Sequence, residues 1–480
     1  MIDCLLIAPG NSPDIYQGLN HTYSAVEPPI WAGLLANALK AHEKEVQIFD
    51  VPAQSEVMLK SVIEEAEPKL IAIVVYGQQP SASTQNMHSA GKIARDIRRN
   101  FPEQKILMLG GHVSALPELT MATEACDYAA KGEGLNTILG LLSGQSLDTV
   151  PGLFYRELDA ILQGPKDKVA TDLAQTYPGV AWDLLPMNLY RAHNWHCFGR
   201  LETRSSYASI YSSLGCPFKC SFCCINAPFD SNSFRFWRPE FTINQIHHLY
   251  HHGVTNIKIA DEMFVLREDH FLKLCDLIID LEHDINFWAY ARVDTVKEKY
   301  LEKLKKAGVN WLALGIESGS KHVRDGVIKR FQTQDIVDVV RRIKDAGIHV
   351  IGNFIFGLPD DTMDTMEETY SLAVDLNCEM VNFYCAMAYP GSQLYPLALQ
   401  KGWQLPSTWL GYSQHSYDTT PLPTDTLAPG DVLRFRDSAF HRYFSNEKYL
   451  GLIRDKFGIE TEKHVKEMAQ IDLKRKLLGD

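Results

Sequence analysis

Residues 214–228 read LGCPFKCSFCCINAP. Four cysteines, Cys216, Cys220, Cys223 and Cys224, fall within nine positions. They follow directly on the strand-like run YASIYSS at 207–213, and α/β enzymes place their chemistry at the carboxyl ends of strands. The first three have the spacing Cys-x3-Cys-x2-Cys, and a loop of that length can wrap three thiolates around one compact ion or cluster. Cys224 adjoins Cys223, so its side chain points elsewhere. Three thiolates satisfy three irons of a four-iron cluster and leave one open. An open position separates a catalytic metal site from a structural one. The alternative is a zinc knot using all four thiols. Structural zinc sites usually draw paired cysteines from two separated loops, and no second Cys-x2-Cys pair exists. The remaining cysteines, Cys4, Cys126, Cys197, Cys275, Cys378 and Cys385, are scattered and read as small buried apolar residues.

The chain has 480 residues, 45% hydrophobic and 22% charged, enough for two or three domains with cores of their own. The N-terminus, MIDCLLIAPG, lacks a basic segment and reads as a buried strand rather than a signal peptide. The longest apolar run, LIAIVVY at 70–76, is too short to span a bilayer. These features predict a cytoplasmic protein with no membrane span and reduced cysteines, which argues against a disulfide framework. A formal net charge of −12 gives no general pull toward nucleic acid, so a small-molecule substrate is the default.

Residues 1–143 alternate strand and helix. Strand-like runs are CLLIAP (4–9), VQIFDV (46–51), LIAIVVY (70–76), KILMLGG (105–111) and CDYAAKG (126–132), with helical patterns such as PPIWAGLLANALKAHE (28–43) between them. Continuous apolar strands spaced by helices predict a doubly wound, Rossmann-like parallel sheet covered on both faces. Residues 144–206 read as a turn-rich connector, VPGLFYRE included. From 207 the alternation resumes through NIKIAD (256–261), FWAYARV (287–293), WLALGIE (311–317), HVIGNFIFG (349–357) and MVNFYCAMA (380–388). Six β/α units fit an open sheet or an incomplete barrel, and periodicity alone does not decide. Residues 397–480 form a last segment. Its aromatic-rich part, 403–420, is expected to cover the barrel mouth, and a mainly helical end follows.

CPFKCSFC, with Phe222 just before the third cysteine, resembles the signature of radical S-adenosylmethionine (SAM) enzymes. GIESGS (315–320), FIFGLPDDT (354–362) and YPGSQLY (389–395) resemble that family's later motifs, in order. The resemblance covers about 205–396 and implies a partial (β/α)6 barrel over 207–396. It further implies that Cys216, Cys220 and Cys223 hold a four-iron, four-sulfur cluster whose open iron takes SAM. Phe222 would lie near the adenine, and Gly315, Glu317 and Ser318 would line the SAM pocket. Arg292, ending the third strand, is either a partner for the SAM carboxylate or a salt bridge at the barrel mouth. Asp261 and Glu262 either face SAM or substrate, or cap the following helix. A reducing partner such as flavodoxin or ferredoxin is implied as well.

The first domain resembles the cobalamin-binding domain of cobalamin-dependent radical SAM enzymes, through LGGHVSALPE (109–118) and DYAAKGEG (127–134). The resemblance carries Gly110, Gly111, His112, Glu133 and Gly134 over as cofactor contacts over residues 1–143. The other reading is tight turns that any doubly wound sheet uses. One departure concerns the loop GNSPDIYQGLNHT after the first strand, which lacks the Asp-x-His-x2-Gly motif that presents a cobalt-binding histidine in many cobalamin proteins. NMHSAG at 86–91 mimics it, but His88 reads as a helix residue. Tyr76, Gln78 and Gln79, in the loop after the third strand, are the residues expected at the lower face of the cobalt.

The implied activity is radical methylation of an unactivated carbon of a small molecule, with methylcobalamin as methyl donor. The alternatives are cyclisation or rearrangement without methyl transfer, and a non-catalytic cobalamin or redox sensor. HHLYHHG (247–253) pairs histidines at i, i+4 spacing, a spacing that can bind zinc. With no carboxylate or cysteine in the pattern it reads as a solvated helix end closed by Gly253.

Overall fold

The computed structural model describes residues 1–10, 15–19, 22–77 and 79–480. Five parallel strands open the chain: β1 (Cys4–Ala8), β2 (Val46–Asp50), β3 (Leu70–Val74), β4 (Ile106–Leu109) and β5 (Tyr128–Ala130). They lie in the order β2-β1-β3-β4-β5. Successive strand residues point to opposite faces. Leu5, Ile7, Ile71 and Ile73 therefore pack with Ile93 and Ile97 of helix Ala82–Asn100 on one face. Leu6, Ala72, Val74 and Leu107 pack with Leu34, Leu35 and Leu39 of helix Ile30–Ala41 on the other. Apolar residues at every position of β1, β3 and β4 are what strands buried on both faces require, and the doubly wound expectation holds.

The sheet does not end where the sequence pattern does. β6 (Leu153–Glu157) and β7 (Ala160–Gln163), inside the stretch read as connector, add an antiparallel hairpin next to β5. β7 is mostly exposed, as an edge strand is, and its apolar stretch is only three residues long. The rest of the connector carries the core from one sheet to the other: Trp195 packs edge-on against Trp288 (5.1 Å) and Trp311 (5.6 Å).

The second sheet comprises β8 (Tyr207–Ile210), β11 (Asn256–Ile259), β12 (Asn286–Arg292), β13 (Val309–Glu317), β14 (His349–Phe356) and β15 (Met380–Cys385). All pairings are parallel and the spatial order is the chain order, with no pairing of β15 to β8. This is the partial six-stranded barrel. The run YASIYSS divides: β8 ends at Ile210, and β9 (Ser213–Leu214) pairs with β10 (Arg235–Phe236) at the base of the cysteine loop. Helices Pro429–Phe444, Glu447–Phe457 and Ile459–Ala469 pack beside β15. There Arg436 Nε donates to the carbonyl of Phe383 (2.8 Å), satisfying part of an otherwise unpaired edge.

Candidate active site

The cysteine loop is strapped to the carboxyl end of the barrel. Ser221 N–H donates to the carbonyl of Val327 (3.4 Å), and Leu394 N–H donates to the carbonyl of Ser221 (3.0 Å). Phe222 packs against the apolar cluster that contains Val323, Val327, Leu358 and Leu394, so its ring anchors the loop to the rim. Asp261, at the end of β11, receives Ser212 N–H, Ser212 Oγ and Ser213 Oγ, each at 2.6 Å. Its carboxylate fixes the turn that delivers the cysteines, and is neither a helix cap nor free for a ligand. Cys216, Cys220 and Cys223 remain partly exposed, while Cys224 is buried, as the adjacency argument expects. Gly391 of YPGSQLY lies against the loop with φ +89°, and a Cβ there would come within 2.7 Å of Ala227 and 3.3 Å of Ala115. Glycine at that point lets the cysteine loop and the first domain close together.

The donor set fits a cluster better than a single ion. Four-coordinate zinc holds thiolates about 2.3 Å away, which requires sulfurs within about 4 Å of one another. Among the described residues only His247, His251 and His283 bring three candidate ligand atoms within 4.8 Å of one another. The three thiols are wider apart, as separate irons of one cluster demand. Burial pushes the Cys216 thiol up to about 11 and the Cys223 thiol higher still, so a bound cation has to offset that cost by holding thiolates.

Arg292 forms a bidentate ion pair with Asp294 (2.9 Å and 2.9 Å), lies over the Phe218 ring (3.9 Å), and turns Nη1 toward Cys220 Sγ (3.5 Å). The barrel-mouth salt bridge is thus present, with one donor left over beside the thiols. At the end of β13 the register shifts between Gly315 and Glu317, and Glu317 takes φ +67°, a left-handed conformation costly for a side-chain residue. Glu317 pairs with buried Lys329, whose Nζ also donates to the carbonyl of Gly315 (2.9 Å). A side chain at position 315 would collide with both partners, at 2.5 Å. Ser318 is turned away: its hydroxyl meets Thr369 Oγ1 (3.1 Å) inside the fold. Arg324, fully buried, donates to the carbonyls of Ser318 (2.6 Å) and Gly319 (2.8 Å) and fixes the loop. Lys329 and Arg324 lie outside the GIESGS motif, and only their spacing from it could have pointed to them. Glu262 is no helix cap either, since Arg267 precedes the next helix. One of its carboxyl oxygens is buried without a partner, and burial pushes the group up to about 8.

In the first domain the expected contacts divide. Gly110 has φ +145°, and a Cβ there would lie 2.1 Å from the carbonyl oxygen of Val75; Gly134 has φ +91° against Leu109. Both are demanded by the sheet itself. His112 is buried, beside Thr84 Oγ1 (3.1 Å) and edge-on to Trp409 (4.4 Å), and burial holds its pKa down to about 3. Glu133 is buried in an ion pair with Arg235 of β10 (2.7 Å) and accepts Ala170 N–H (2.8 Å). These side chains tie the domain to its neighbours and are absent from the cavity wall. Gly111 has no such constraint: a Cβ there would meet Ser83 at 3.5 Å. His88 lies in helix Ala82–Asn100, as expected. Gln78 lies outside the described residues.

Tyr76 and Gln79 do face open space. They line a cavity of about 1230 Å³ that runs from Gly10, Asp50 and Gly77, at strand ends of the first sheet, to Trp288, Tyr290, Asn353 and Tyr384 inside the barrel. Tyr76 stacks on Trp31 (4.3 Å, 13°). Asn86 borders the same cavity, buried, with Oδ1 lacking any partner. An orphaned acceptor there fits an amide-bearing ligand such as cobalamin. Glu27 of the first domain reaches across to Lys258 of β11 (3.4 Å) and accepts Ser209 Oγ (2.8 Å). Burial opposes ionisation of Glu27, but Lys258 and His193 hold it down to about 2. The stretch 403–420 does more than cover the barrel: Trp409 packs on His112 of the first domain, and Gln414 bonds the N–H and carbonyl of Cys385 at the end of β15 (2.7 and 2.9 Å).

An open-faced α/β barrel with three partly exposed cysteines at its rim, preceded by a doubly wound domain whose strand ends share its cavity, is the build of an α/β enzyme with its chemistry at the carboxyl ends of the strands. The Radical SAM superfamily model matches residues 210–373, and the B12 binding domain model matches residues 16–142. The chain is 28% identical over 413 residues to an uncharacterized methyltransferase of Pyrococcus horikoshii, covering 84% of this chain and 85% of that one. It is 25% identical over 446 residues to the anaerobic magnesium-protoporphyrin IX monomethyl ester cyclase of Rubrivivax gelatinosus (88% and 75%). In fold it is similar to the radical SAM methyltransferase TsrM from Kitasatospora setae, solved with cobalamin and a [4Fe-4S] cluster (TM-score 0.69, 17% identity, 92% and 88%). It is likewise similar in fold to the cobalamin-dependent radical enzyme OxsB (TM-score 0.69, 16% identity, 98% and 72%). The chain belongs to the cobalamin-dependent radical SAM enzymes, whose cofactors are a [4Fe-4S] cluster, SAM and cobalamin.

Proposed function

We propose that this enzyme transfers a methyl group from SAM to an unactivated carbon of a small molecule. The observation that carries the reading is the single cavity joining the strand ends of the first domain to the barrel lumen. When bound, the cluster supplies the electron that breaks the S–C5′ bond of SAM, and cobalamin supplies a carrier for the methyl group.

The chain's own part is to hold, orient and shield. Cys216, Cys220 and Cys223 present thiolates, and the free donor of Arg292 beside Cys220 offsets their charge. The buried Glu317–Lys329 pair, with Lys329 also donating to the carbonyl of Gly315, holds the end of β13 in the shape that this reading assigns to the SAM pocket. Trp288, Tyr290 and Tyr384 wall the lumen with rings that limit access of water. Asn353 and Asn382, joined at 2.9 Å, place neutral polar groups among them, suited to a neutral substrate. A cytoplasmic setting would keep the remaining cysteines reduced, and flavodoxin or ferredoxin is the reductant this reading calls for. No described helix is long and apolar enough to cross a membrane.

Similarity to the cyclase favours a second reading, ring closure without methyl transfer. Mass spectrometry with isotopically labelled SAM and a panel of small molecules separates the two. Methylation predicts label in the product, with both 5′-deoxyadenosine and S-adenosylhomocysteine formed. Substrate consumption with 5′-deoxyadenosine but never S-adenosylhomocysteine would move the enzyme to the cyclase reading.

A further inference from the structure

The helix Pro239–His251 ends in HHLYHHG, and the sequence alone marks it as a solvated terminus closed by Gly253, which indeed has φ +78°. The structure adds a third ring from elsewhere in the chain. His283, in the turn before β12, lies with Nε2 3.1 Å from His247 Nδ1, and His251 Nε2 lies 3.1 Å from His247 Nε2. One nitrogen from each of the three comes within 4.8 Å of the others. His283 is held in this orientation by stacking face to face on Tyr250 (3.7 Å, 10°).

We propose that His247, His251 and His283 form a binding site for one zinc-class divalent ion, with a water or an external ligand in the fourth position. Imidazole nitrogens bind zinc at about 2.0–2.1 Å, so tetrahedral ligands sit about 3.3 Å apart; the two 3.1 Å contacts use opposite nitrogens of His247, so one of them matches that spacing directly, and the third nitrogen, within 4.8 Å of the others, closes in by a side-chain rotation. Two ligands one helical turn apart and a third from a separate element is an arrangement that closes around an ion without moving the backbone. The trio precedes β11 and β12, whereas the cysteine loop follows β9. The ion therefore sits at the amino ends of the strands, away from the chemistry, and ties the outer helix to the entry of β12. Its role there is to fasten the barrel floor or to offer a ligand position to a second surface.

The test uses the full-length, cluster-loaded protein, equilibrated with zinc and then freed of loose metal. The expected result is one zinc per chain in the parent protein and in His248→Ala, and its loss in His247→Ala and in His283→Ala. Zinc-edge X-ray absorption should show imidazole nitrogen and no sulfur. Retention of zinc in His283→Ala equal to the parent protein overturns the three-histidine site. So does a sulfur shell, which places the zinc on the cysteines, or a parent protein that holds no zinc at all.

Discussion

Two sheets of similar build treat their strand-end loops in opposite ways. At the barrel rim the fold spends its hydrogen bonds on the backbone and on Asp261, and leaves three partly exposed cysteines without partners among themselves. At the end of the first sheet the side chains expected to meet a cofactor are already engaged: Glu133 with Arg235, and His112 with Thr84 and Trp409. A ligand that needs particular atoms leaves those atoms in the sequence. A ligand held by the shape of a cleft leaves glycines, and glycines serve the fold as readily as the ligand. The open parts of the first domain are Tyr76, Gln79 and Asn86, and they face the barrel.

The comparison can be broken most severely at the rim. Replacing Cys216, Cys220 and Cys223 with alanine should abolish the cluster and SAM cleavage, whereas Cys224→Ala, at a buried position, should retain most of the iron. Equal loss in Cys224→Ala, read by iron and sulfide analysis, would revive a four-thiol site. In the first domain Gly110→Ala should destabilise by about 3 kcal/mol, because positive φ and contact with the Val75 carbonyl both oppose a Cβ. Gly111→Ala should be tolerated. Denaturant midpoints of the two variants measure the contrast, and equal midpoints would mean that Gly110 is not demanded by the sheet. Glu317→Gln should keep its iron yet slow reductive SAM cleavage by roughly 10- to 100-fold through misplacement of SAM. Unchanged cleavage kinetics would leave Glu317 a purely structural role.

The smallest effect concerns pH. Asp50, buried at the end of β2 and bonded by the Tyr190 hydroxyl (3.0 Å), is pushed by burial from 3.8 up to about 7. Between those values the folded protein holds a proton that the unfolded chain has lost, so stability falls as pH rises through that window. Below it the penalty is absent; above it the penalty is constant. Asp50→Asn should flatten this part of the stability profile of the cofactor-free protein, and an unaltered slope would mean that Asp50 does not cause it.

The sequence made the barrel side of this contrast legible and the other side only partly so. CPFKCSFC names its ligands by residue type and spacing, and continuous apolar strands expose both parallel sheets. β6 and β7 escaped notice because an exposed hairpin at a sheet edge carries little apolar periodicity. Lys329 and Arg324 act through the GIESGS loop from a following helix and turn, so no local motif marks them. Glu27–Lys258 and His247–His283 join residues far apart in the chain, and a single sequence does not record which distant side chains meet.

The proposed methyl transfer draws on both domains through the cavity they share. It is tested most directly without a substrate, by mixing protein carrying its cluster and reduced cobalamin with SAM. One S-adenosylhomocysteine per bound cobalamin is expected, and none when cobalamin is left out. Formation of 5′-deoxyadenosine alone, with no S-adenosylhomocysteine from cobalamin-loaded protein, would contradict it.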